Sequence, residues 1–91
     1  MPEPDRRMAR EALFEALENQ MNGDGPPETK ETFDRLRASG YSRKETMRML
    51  ACVLLDELNE MVKVNRLYDE ANYVRKLKML PRLPWEYEPD L

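Results

Sequence analysis

The 91-residue chain is 41% hydrophobic and 36% charged, with 18 acidic residues against 15 basic ones, which suits one domain and argues against an acidic tail or a polyanion-binding protein. Histidine is absent and cysteine occurs once. That removes the commonest general base near neutral pH, the commonest metal ligand, any intramolecular disulfide and a structural zinc site within one chain. No run approaches the ~18 apolar residues of a membrane span, and the opening Met-Pro-Glu-Pro-Asp-Arg-Arg lacks the apolar core of a secretory leader, so a cytoplasmic protein with no metal, cofactor or membrane is expected.

The pattern predicts an all-α fold, a compact bundle of about four helices over residues 1–80, followed by an extended Pro/Trp-containing tail over residues 81–91. The first helix should run from about Asp5 to Asn22. It carries Ala9, Leu13, Phe14, Ala16, Leu17 and Met21 on one arc, with Glu11, Glu15 and Glu18 opposite. A second starts at Pro26 or Pro27, where proline suits the first turn, and stops before Gly40. Thr29, Phe33 and Leu36 share its narrow apolar face. Ser42-Arg43-Lys44-Glu45 reads as a capping box opening a long helix to about Asn65. Its apolar residues, from Met47 to Val64, cover more than half the circumference and mark it as the central element. A fourth helix should span Tyr68 or Asp69 to Leu80, with Tyr73, Val74, Leu77 and Leu80 apolar, before Pro81 and Pro84 stop it.

Glu18-Asn19-Gln20, Pro26-Pro27-Glu28, Thr32, Arg35-Leu36, Gly40, Ser42-Arg43 and Glu45 follow one another at short spacings. In this order they resemble a small bacterial all-helical family of unknown function, across most of residues 10–65, with a looser echo in Tyr73 and Leu77 to Pro81. The resemblance implies the helical fold. It implies no activity, and the histidines that such a family often carries near the end of the first helix and around the R-x-E turn have no counterpart here.

Two polar residues fall inside apolar arcs. Glu57 lies among Val53, Leu54, Met61 and Val64 on the central helix, so it must be paired, protonated or at a rim. Arg35 or Arg37 is the expected partner, and a helix-orienting ion pair outweighs a catalytic acid. Gln20 is expected to hold the Gly23–Pro27 turn, with a ligand contact as the lesser reading. Cys52 falls on the polar side, where Arg48 one turn earlier would lower its pKa somewhat. Arg75, Lys78 and Arg82 form a basic stripe too small to lead to nucleic acid. In the tail, Leu83, Trp85 and Tyr87 share one side of an extended chain and need cover, from this chain or a partner.

No catalytic or metal constellation emerges, and a non-enzymatic role is expected. The leading expectation is protein–protein association, as a homo-oligomer or with an unidentified protein partner. The alternative is a small-ligand or divalent-cation site built from the first-helix acids with Glu57. A nucleic-acid accessory role through the basic stripe stands third.

Overall fold

Local signals set the helix ends. In the computed structural model, which describes the backbone of residues 6–87 and the side chains of residues 9–84 and Glu86, the described residues form helices and no strand. They are α1 (Arg6–Asn19), α2 (Pro27–Ala38), α3 (Arg43–Lys63), α4 (Glu70–Met79) and the single turn α5 (Pro84–Tyr87). The expected start of the first helix at Asp5 lies outside the described residues. Its end differs from expectation: regular α-geometry stops at Asn19, and Gln20–Asp24 widen into a π-type turn interrupted at Gly23.

Pro27 opens α2, and Gly40 closes it in a left-handed conformation (φ 105°), with the Tyr41 N–H donating back to the Leu36 carbonyl at 3.2 Å. The capping box forms in full: Ser42 Oγ accepts from the Glu45 N–H and the Glu45 carboxylate accepts from the Ser42 N–H, each at 3.0 Å. These bonds hold the Glu45 carboxyl below its ordinary range. At the other end Asn65 takes a left-handed conformation (φ 52°), which asparagine tolerates, and stops α3. Asp69 caps α4 by accepting from the Asn72 N–H.

The helix α3 is central, packing against α1, α2, α4 and α5. Leu17, Leu36, Leu50, Val53, Tyr73 and Leu77 are fully buried around it. Arg35, expected to reach Glu57, instead closes α4, donating to the carbonyls of Leu80 at 2.8 Å and Leu77 at 3.3 Å. Arg37 donates to the Tyr41 carbonyl. The tail differs locally from the extended segment the sequence suggests. Pro84 is buried and begins α5 against α3, with Leu83 and Glu86 exchanging two hydrogen bonds. Proline fits this first helical position because it needs no N–H there.

Candidate association surface and the ion network behind it

The C-terminal half of α3 carries charge inward and apolar surface outward. Glu57, on the inner side, is fully buried. Its partner is Arg66, in the loop after α3, which grips both carboxylate oxygens at 2.8 and 3.0 Å. The same carboxylate accepts from Asn72 Nδ2 at 3.1 Å and from the Asp69 backbone N–H at 3.4 Å. Arg35 and Arg37 are too committed elsewhere to take this place. Burial alone would push the Glu57 carboxyl up. The Arg66 fork, the Asp69 amide and Asn72 outweigh it and hold the group below its ordinary value.

Lys76 of α4 completes the network. It is a lysine with no exposed surface, donating to Asp56 and to Glu60 at 2.6 Å each and lying 3.7 Å from Glu57. Burial works against its charge, but Asp56 and Glu60 override this and raise its pKa. Glu60, which also accepts from Arg66 at 3.1 Å, is lowered, first by its hydrogen bond from Lys76. Buried charges left unpaired would be very costly; here each finds an opposite partner. The arrangement has no spare acid or base and no open position, so it anchors α4 and the loop rather than offering a reactive group. Sequence reasoning passed over Lys76, although it falls within the arc of Tyr73, Leu77 and Leu80.

Arg66 also donates to the Leu67 carbonyl at 2.8 Å. The loop is thus tied at Arg66, Leu67 and Asp69, and it holds Leu67 outward, while the Tyr68 ring meets Tyr73 edge-on at 6.0 Å. Leu67 is 88% exposed and Val62, at the end of α3, is 84% exposed. Leu55, Leu58, Val64 and Tyr68 are exposed as well. Leu55, Leu58 and Val62 recur at intervals of three and four and form one stripe on α3. The central position expected of α3 from its broad apolar arc holds, but part of that arc stays exposed. Four helices enclose the inner part, while Leu55 and Leu58 remain nearly half exposed and Val62 almost wholly so.

Toward the middle of α3 the stripe runs into a groove between α1 and α3. It has a volume of about 440 Å³, with Leu13, Phe14, Ala51 and Leu55 among its walls and Arg10 and Arg48 beside them. Cys52 lines it too, half-buried. Burial raises its thiol pKa, contrary to the lowering expected from Arg48.

The other sequence candidates have structural partners. Gln20 does not bond the turn backbone. Its Oε1 accepts from Thr29 Oγ1 and from the Tyr73 hydroxyl, each at 2.9 Å, tying the end of α1 to α2 and α4. A Cβ at Gly25 would come within 2.7 Å of Gln20 side-chain carbons, which is why the turn passes this amide only as glycine. Burial raises the Tyr73 phenol to about 12 despite the hydrogen bond to Gln20. Glu11, Glu15 and Glu18 are exposed, and Glu18 pairs with Arg43 at the start of α3, so these acids do not converge with Glu57. Among the described residues no group of three His, Cys, Asp or Glu is placed to hold a metal ion, and no helix is long and apolar enough to cross a membrane. Leu83 packs against the chain's own core. The side chains of Trp85 and Tyr87 lie outside the described residues.

Comparison of the chain with protein-family models, with curated proteins and with solved structures yields no match. Several of the residues that carried the resemblance have plain structural work. Gln20 locks three helices, Pro27 and Gly40 bound α2, Arg35 closes α4, and Ser42 with Glu45 caps α3.

Proposed function

We propose that this protein is a non-enzymatic association module that binds a second copy of itself through the exposed stripe of α3 and the loop that follows it. The observation that carries this reading is the pairing of a rigidly tied loop with an outward Leu67. The tip would be expected to fold away unless its exposure were useful, because ordering a loop costs about 1–2 kcal/mol per residue. Contiguous exposed apolar surface of this kind marks contact sites in soluble proteins. A catalytic reading gains nothing from the buried network, where Glu57, Glu60 and Lys76 are each paired, and the cation-binding reading lacks convergence of the first-helix acids with Glu57.

Sedimentation equilibrium over a wide concentration range tests the proposal. The weight-average mass is expected to rise from one chain toward two. A one-chain mass at every concentration would overturn it.

A further inference from the structure

The association surface has two ends of different character. One is the α1–α3 groove, apolar within and flanked by Arg10 and Arg48. The other is the loop, apolar at Leu67 and Tyr68 and followed by the exposed acids Asp69 and Glu70. Between them on α3 lie Leu55, Leu58 and Val62. Resting on the self-association reading, we propose that the loop of one copy seats Leu67 in the α1–α3 groove of the other, with Glu70 against Arg48.

Three observations support this occupant. The groove is large enough for a leucine side chain, and Leu67 is the most exposed large apolar residue of the tied loop, whereas Tyr68 rests edge-on against Tyr73. The charges are complementary: basic at the groove, acidic at the loop. Neither Arg48 nor Glu70 makes a hydrogen bond or ion pair with another described residue, whereas Asp69 is already engaged in capping α4. Finally, groove and loop lie toward opposite ends of one stripe on one helix. Two α3 helices packed antiparallel therefore bring each loop to the other copy's groove and bury both stripes. Such a contact is reciprocal and closes at two copies.

Charge reversal tests this directly. In Arg48→Glu an acid faces the Glu70 of the partner copy; in Glu70→Arg two arginines face each other. Each variant alone is expected to dimerise about tenfold more weakly, because like charges at a contact oppose association. Mixed in equal amounts they form a heterodimer in which both contacts are attractive, one the native Glu70–Arg48 pair and the other its reverse, and affinity returns close to that of the wild type. Both positions are exposed and make no hydrogen bond or ion pair with a described residue, so unchanged circular dichroism is expected. As a second variant, Leu67→Asp removes the apolar tip and is expected to abolish association. If the wild type associates but the reversals are neutral alone, or the mixture stays as weak as its components, the loop-in-groove contact is wrong while self-association stands. A wild type that never associates removes both.

Discussion

The two sides of the C-terminal half of α3 invert the usual order of a helix in a small protein. Toward α4 lie Asp56, Glu57 and Glu60, gathered on a fully buried lysine and a partly buried arginine. Toward solvent lie Leu55, Leu58 and Val62. An apolar core at the inner side would hold α4 at least as tightly, since buried ion pairs seldom exceed well-packed hydrophobic residues in stability. What the charges add is direction. A forked arginine on a carboxylate fixes one geometry, and that geometry points Leu67 outward. Charge on the inner side sets the shape of the loop, and in the proposed dimer the exposed apolar groups would use that shape.

This contrast can be broken most severely at Glu57. Glu57→Ala leaves Arg66 without its main acceptor and Lys76 with one charge fewer, and is expected to cost about 3–5 kcal/mol in chemical denaturation. A loss under ~1 kcal/mol would mean that the network does not hold the loop.

Changing pH weakens the same network without mutation. Glu57 and Glu60 have folded-state pKa values below their ordinary 4.5. Their contribution is therefore fully present above that value and is lost as pH falls through the depressed values. Lys76 is raised above 10.5, so its contribution is present below that pH and disappears as pH rises through the higher folded value. Urea midpoints should accordingly be level in the range between and fall on both sides. Glu57→Ala should flatten the acid limb; an acid limb unchanged by that substitution would assign the pH dependence to other groups.

Away from the network, Ser42→Ala removes one half of the α3 capping box. It is expected to lower stability by roughly 0.5–2 kcal/mol with no effect on self-association. An unchanged denaturation midpoint would show that the cap contributes nothing.

How legible these features were in the sequence follows from the range of each interaction. Ser42 with Glu45, Pro27 and Gly40 act within a few residues, so helix ends were readable before any tertiary structure. Glu57 was legible as an oddity because a carboxylate in an apolar arc breaks the helical period. Its partner was not, because Arg66 lies in an irregular loop that folds back, and no periodicity describes such a path. Lys76 did leave a signal, three residues after Tyr73 and four before Leu80, but a long side chain in an apolar arc usually reaches solvent with its charged end. Gln20 stood out in the same way, yet the Tyr73 hydroxyl that it meets lies 53 residues further on. The uncovered stripe of α3 was the least legible. An apolar arc states how much surface avoids water, not which neighbour covers it.

The outer stripe should have the smallest effect on folding and the largest on association, which makes Val62→Lys the most direct test of the account. Val62 is 84% exposed, so the substitution is expected to change stability by no more than about 0.5 kcal/mol. Light scattering of wild type and variant at matched high concentration then reads the stripe alone. The account predicts a mass approaching two chains for the wild type and one chain for the variant. Equal masses for the two would contradict it.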